Sequence, residues 1–236
     1  MLLTVVAVAL CGCGGRESQE QVTAPSPAQP RPPVQNNSSD TRPIIAAFGD
    51  SLSAGFGVAP GKSYPDDVQR LLDAAGYQYR VVNLGVSGDT TTDGLERLPS
   101  VVAIHPAIVI LEFGGNDGLR GLPVTSTEKN LAAMVAALQK SGAAVLLAGM
   151  TLPRNYGPEY IASFDQIYVD LARQYRVAWI PFLLEGVGGH PDLMQTDEIH
   201  PTAEGAAIVA RNVMKYLQPL LLPESGRSRV KGLPVL

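Results

Sequence analysis

Ile44-Ile45-Ala46-Ala47-Phe48 runs directly into Gly49-Asp50-Ser51-Leu52. Five apolar residues without polar alternation are what a strand buried on both faces requires, and such strands belong to parallel sheets. Working outward, further short apolar runs bounded by turns recur at Arg80–Asn83, Ala107–Phe113, Ala143–Gly149 and Val177–Pro181. Helical spacing fills the intervals. Val68, Leu71, Leu72 and Ala75 fall at i, i+3, i+4 and i+7, as do Leu131, Met134, Val135 and Leu138. Phe164, Ile167, Tyr168 and Leu171 repeat the spacing, and so do Ala206, Val209, Ala210 and Val213. Strands alternating with such helices predict right-handed βαβ units and a three-layer α/β/α domain. No internal repeat is visible.

The turn after the first run holds a serine, and Asp197-Glu198-Ile199-His200 lies far downstream. A serine hydroxyl is a weak nucleophile until a base takes its proton. Histidine, with an unperturbed pKa of about 6.5, suits that task. Asp197, three residues before His200, is close enough to hold the imidazole Nδ1–H and leave Nε2 facing Ser51. Residue types and order thus predict a serine hydrolase with Ser51, His200 and Asp197 as its triad. The rival reading of Ser51 is a helix cap. The rival for Asp197 and His200 is a metal site, for which no third ligand stands at a recognisable spacing. Asp50 is read as structural, and Gly49 as the residue that lets the chain bend. Pro201 is read as the start of a helix behind the histidine. His105, before Pro106, reads as a turn residue, and His190 as part of an exposed glycine-rich loop. The lipase-type Gly-x-Ser-x-Gly elbow is absent, because Gly49-Asp50-Ser51-Leu52 continues with Ser53.

Two more blocks follow apolar runs: Asn83-Leu84-Gly85-Val86-Ser87-Gly88-Asp89-Thr90 and Gly114-Gly115-Asn116-Asp117. With the first and last blocks they resemble the SGNH (GDSL) hydrolases, Ser51, Gly88, Asn116 and His200 standing at the four name-giving positions. The likeness is nearest to the bacterial arylesterase, acyl-thioesterase I and lysophospholipase group and covers about Arg42 to Pro219. It implies a five-stranded parallel sheet in the order 2-1-3-4-5, a flavodoxin-like doubly wound fold. Ser51, Gly88 and Asn116 would then follow three neighbouring strands at the switch point. It further implies an oxyanion hole made of the backbone N–H groups of Ser51 and Gly88 and the Asn116 amide. Asn83, Thr90 and Asp117 would support these groups. An acyl chain would run between the loops 118–124 and 151–160, with Leu119, Leu122, Leu152 and Tyr156 as walls. The reaction implied is hydrolysis of a carboxylic ester or thioester through an acyl-Ser51 intermediate, with no cofactor and no metal. Two alternatives stay open: a carbohydrate O-acetyl esterase, and a catalytically silent α/β envelope lipoprotein that binds a small ligand.

The net charge of −4 over 236 residues, with no basic run interleaved with aromatics, gives no sign of a nucleic-acid partner. Nor does any feature call for a protein partner. Both cysteines, Cys11 and Cys13, stand near the start. Met1 to Leu10 is apolar but shorter than the roughly 20 residues that cross a bilayer, and fits the core of a secretory signal. Leu10-Cys11-Gly12-Cys13-Gly14 resembles a bacterial lipobox, with lipid on Cys13; a buried first strand with two incidental cysteines is the rival reading. Residues 13–42, rich in Pro, Gln, Ser and Asn, read as a solvated linker. The expected organisation is therefore a signal peptide at 1–12, a lipid-anchored linker at 13–42, the hydrolase domain at 43–222 and a disordered tail at 223–236. Such a lipoprotein would sit on a membrane of the bacterial envelope, facing the periplasm, where lysophospholipids and other acyl esters are more accessible than cytoplasmic thioesters.

Overall fold

A computed structural model describes residues 40–221. The expectations for Cys11, Cys13, the signal peptide, most of the linker and the tail lie outside the described residues. Its first residues already belong to the folded unit: the Arg42 guanidinium binds Asp40 and donates to Tyr79 O at 3.3 Å.

Five strands form one sheet: β1 (Ile44–Gly49), β2 (Arg80–Asn83), β3 (Ile108–Glu112), β4 (Ala144–Ala148) and β5 (Ala178–Ile180). Every pairing is parallel, and the spatial order is β2-β1-β3-β4-β5. The five predicted runs are these strands, with ends shifted by at most one residue where ladder pairing stops. Ile45, Ala46, Ala47 and Phe48 are wholly buried, as a strand with helices on both faces must be.

The connecting helices are α1 (Ser51–Ala54), α2 (Tyr64–Ala74), α3 (Thr91–Ala103), α4 (Gly115–Leu119), α5 (Val124–Lys140), α6 (Pro158–Tyr175) and α7 (Ala203–Leu217). α2 packs on α7, while α3, α5 and α6 pack in succession. The helical spacings were sound: Leu131, Met134, Val135 and Leu138 are fully buried, and Phe164, Ile167, Tyr168 and Leu171 nearly so. Two readings change. Ala75 lies exposed beyond the end of α2. Pro201 precedes α7 instead of starting it, because Thr202 is the N-cap, accepting from Gly205 N–H. Pro201 instead pairs with Met194 in an isolated antiparallel bridge.

The layers meet beside the site. Tyr168 on α6 is buried against Phe164 in an edge-on contact, and its hydroxyl donates to Phe113 O at 2.9 Å, where β3 gives way to the Gly114 turn. Tyr168→Phe leaves that buried carbonyl unpaired, so the free energy of unfolding should drop by about 1–3 kcal/mol. Urea unfolding of the two proteins measures this, and equal midpoints would show that the bond contributes nothing.

Candidate active site

The carboxyl end of β1 turns sharply into α1. Asp50 is the N-cap of this short helix, its carboxylate accepting from Leu52 N–H at 3.0 Å. Capping therefore falls to Asp50, and Ser51 is left with a free side chain at the first helical position. Gly49 is needed for close approach, not for bending: a Cβ there would collide with the Glu112 carboxyl group and the Ser53 hydroxyl.

Ser51 Oγ lies 2.9 Å from His200 Nε2, and His200 Nδ1 lies 2.7 Å from Asp197 Oδ2. The Asp197 carboxyl would be raised by its partial burial, yet the bonds from the His200 ring and from the backbone N–H groups of His200 and Ile199 outweigh this and lower it. It is therefore an anion that only accepts. Nδ1 must then carry the proton, and Nε2 offers its lone pair to the Ser51 hydroxyl. Asp197 Oδ1 accepts from both backbone groups at 3.0 Å, and Glu198, between Asp197 and Ile199, adopts a left-handed conformation (φ 59°). A tight turn, not a helix, thus brings Asp197 and His200 together. Asp50 Oδ1, at 3.5 Å from Ser51 Oγ, is too distant to serve as the base. His105 sits in a left-handed turn before β3 and His190 is exposed, as read from the sequence.

The loop after β2 is bound to the nucleophile turn. Val86 N–H donates to Gly49 O at 3.1 Å, and Asn83 Nδ2 donates to Ser53 O at 2.7 Å. Arg97 on α3 pairs with Asp89 at 2.6 Å and donates to Gly49 O and Leu84 O. Gly88 has φ 89° and is exposed. Among the described residues nothing accepts from the backbone N–H of Ser51 or Gly88, which leaves both available to an incoming oxyanion. Asn116 differs, since its amide donates to Asp50 Oδ2 at 3.0 Å and to Asp89 O at 2.9 Å. It reaches an oxyanion only by exchanging one of these acceptors. Thr90 caps α3 in a reciprocal bond with Asp93, and Asp117 is buried, accepting from Thr91 N–H at 2.8 Å.

Of the predicted acyl walls, Leu152 is in the core, packed beneath Gly118. Leu119, Leu122 and Tyr156 are half-buried on two loops that are tied together. Tyr156 donates to Leu119 O and Tyr160 to Leu122 O, each at 2.8 Å. Ser51 and His200 also border a small recess with room for about one water, whose apolar lining includes Phe56, Val58, Leu183, Leu184 and Val209. Apart from Val209, which the helical spacing of the last helix picks out, no sequence signal marks those residues. Among the described residues no three His, Cys, Asp or Glu side chains cluster as a metal site would need.

Glu112 is a further member of the site that no motif marks. It ends β3 with no exposure, and its Oε2 accepts from Asp50 N–H, Ser53 N–H and the Ser53 hydroxyl at 3.2, 3.3 and 2.8 Å. Burial, then the neighbouring Asp50 charge, pushes the Glu112 carboxyl well above its usual range. Burial likewise lifts Asp50 to about 6. A charged group within an otherwise apolar run was the available signal.

The arrangement places a serine hydroxyl, an imidazole and a carboxylate in one hydrogen-bonded line on the loops of a parallel sheet, as a serine hydrolase of the α/β/α type requires. Residues 47–208 match the GDSL-like lipase/acylhydrolase family, and the chain belongs to that family. It is 46% identical over 178 residues to esterase TesA of Pseudomonas aeruginosa, covering 75% of this chain and 89% of that protein. It is 39% identical over 182 residues to the Escherichia coli protein named thioesterase 1/protease 1/lysophospholipase L1, covering 77% and 86%. Among solved structures it resembles the psychrotrophic esterase EstA of Pseudoalteromonas, inhibited by monoethylphosphonate. The TM-score is 0.72 at 30% identity, over 75% of this chain and 98% of that one.

The raised Asp50 pKa has a consequence for folding. A carboxyl that is harder to ionise when folded holds its proton longer than in the unfolded chain. Its contribution is therefore favourable at low pH and is lost as pH rises from about 4 to about 6. Asp50→Asn removes that titration, so between pH 4 and pH 7 the wild type should lose on the order of 2 kcal/mol more stability than the variant. Parallel denaturation curves across that range would refute this if the two proteins changed equally.

Proposed function

We propose that this protein is a serine esterase that cleaves carboxylic esters and thioesters through an acyl-Ser51 intermediate. The observation that carries the reading is the Ser51–His200–Asp197 chain, with links of 2.9 and 2.7 Å. His200 Nε2 takes the hydroxyl proton as Ser51 Oγ attacks the acyl carbon. The backbone N–H groups of Ser51 and Gly88 receive the tetrahedral oxyanion, joined by Asn116 once it leaves an acceptor. The imidazolium then protonates the leaving alcohol or thiol, and water repeats the sequence to release the acid.

Family membership and the esterase, thioesterase and lysophospholipase names of the relatives support this class of substrate. The exposed apolar side chains of Phe56, Val86 and Ile199 around the site favour a hydrophobic acyl group over a sugar, which places simple esters and lysophospholipids ahead of O-acetyl carbohydrates. Ser51→Ala should lower kcat for p-nitrophenyl esters by at least about 10⁴-fold while leaving thermal unfolding near the wild-type value. Retained turnover in that variant would end the assignment. A panel of p-nitrophenyl esters of increasing length, with lysophosphatidylcholine, then ranks the substrates.

We also propose that Cys13 carries lipid and holds the enzyme on an envelope membrane, a reading supported by the apolar start, the Leu-Cys-Gly-Cys sequence and the Pro-rich stretch that follows. Cys13→Ala should abolish incorporation of a palmitate analogue and release the protein from membranes, whereas Cys11→Ala should do neither. Labelling that survives in Cys13→Ala would contradict the anchor.

A further inference from the structure

The histidine loop and the nucleophile turn come from opposite ends of the domain, and one carboxamide joins them. Gln195 Nε2 donates to Phe56 O at 2.7 Å and to Pro201 O at 2.9 Å, which uses both of its hydrogens. The Gln195 backbone N–H donates to His200 O, also at 2.7 Å. Phe56 is tied in turn to the nucleophile, its N–H donating to Ser51 O at 3.0 Å. The Phe56 ring, about half exposed, packs tilted against the His200 imidazole with centroids 4.6 Å apart. Gly57 has φ 74°, and a Cβ there would run into the Gln195 carboxamide. The contacts Ser51–Phe56–Gln195–His200 thus close a ring around the Ser51–His200 hydrogen bond.

We propose that Gln195 is a positioning residue for the acyl transfer: its carboxamide straps the histidine loop to the turn after α1 and so sets the distance between Ser51 and His200. The proposal rests on the roles assigned to those two residues above. The chemistry calls for an amide. Two carbonyl oxygens need two donors from one side-chain end, which Gln supplies; Glu has the same shape but would present an ionised acceptor to both. The turn holding Asp197 to His200 is local, so losing the strap leaves the base oriented and moves base and turn together relative to the nucleophile. Such a shift slows the chemical step more than it weakens substrate binding.

The test uses the full chain and three variants, Gln195→Glu, Gln195→Met and Gly57→Ala, beside Ser51→Ala. Gly57→Ala leaves the carboxamide unaltered but crowds it, and also strains a backbone at φ 74°, so it supports the strap only where Gln195→Glu and Gln195→Met fall with it. Steady-state hydrolysis of p-nitrophenyl butyrate and the rate of labelling by a fluorophosphonate are measured at 25 °C. Each rate is normalised to the folded fraction read by circular dichroism. The expected result is a fall in kcat of roughly 10- to 100-fold in all three variants, with KM within about twofold and labelling slowed in proportion. If Gln195→Glu and Gly57→Ala keep kcat and labelling within about twofold of wild type while Ser51→Ala is inactive, the strap is only structural and the proposal falls. Activity surviving in Ser51→Ala would instead overturn the parent reading, and this one with it.

Discussion

The turn at the carboxyl end of β1 is held by buried carboxyl groups, and the rest of the site is referenced to it. Glu112 reaches across from β3 and gathers two backbone N–H groups and the Ser53 hydroxyl onto one oxygen. Asp50 caps α1 and takes the Asn116 amide. Gly49 has no side chain because Glu112 occupies the space. Removing such groups from water is costly, and the cost shows as the upward shift of both carboxyls. In return the nucleophile turn is defined by directional bonds, which apolar packing alone would not give. Site geometry here is bound up with a local loss of stability, as is common where function requires buried polar groups.

That turn has its meaning from the sheet order. β1 lies between β2 and β3, so the loops after all three strands open at the same edge, where the winding direction reverses. The Gly88 loop, the Asn116 turn and Ser51 converge for this reason, and the bonds from Val86 N–H to Gly49 O and from the Asn116 amide to Asp50 and Asp89 fix their spacing. The histidine comes from outside the sheet, on the turn before α7. It therefore needs its own tie to the nucleophile, and the Gln195 carboxamide lies where such a tie must run.

Much of this was legible in the sequence. Unbroken apolar runs mark the strands because a doubly covered strand tolerates no alternation, and spacings of three and four mark α2, α5, α6 and α7. That Ser51, His200 and Asp197 would lie side by side was legible because they have distinctive chemistry and lie in recognisable blocks. α3 was not read: Gly94 and Pro99 interrupt its periodicity, although Thr90 and Asp93 carried a capping-box signal. Glu112 was passed over inside a run taken as apolar. Phe56, Leu183, Leu184 and Gln195 could not be found at all, since they come together only when the chain folds and follow no period. Leu152 is buried, and its loop gives no sign in the sequence of which side faces the core.

The central claim is that Ser51 carries the acyl group during turnover. Acid-quenching the enzyme within milliseconds of mixing with excess p-nitrophenyl ester, followed by intact-mass analysis and peptide mapping, reads this directly. The expected result is a mass increase equal to one acyl group, on the peptide bearing Ser51, that appears with the first burst of nitrophenol and disappears once substrate is exhausted. An acyl group mapped to any other residue would contradict it.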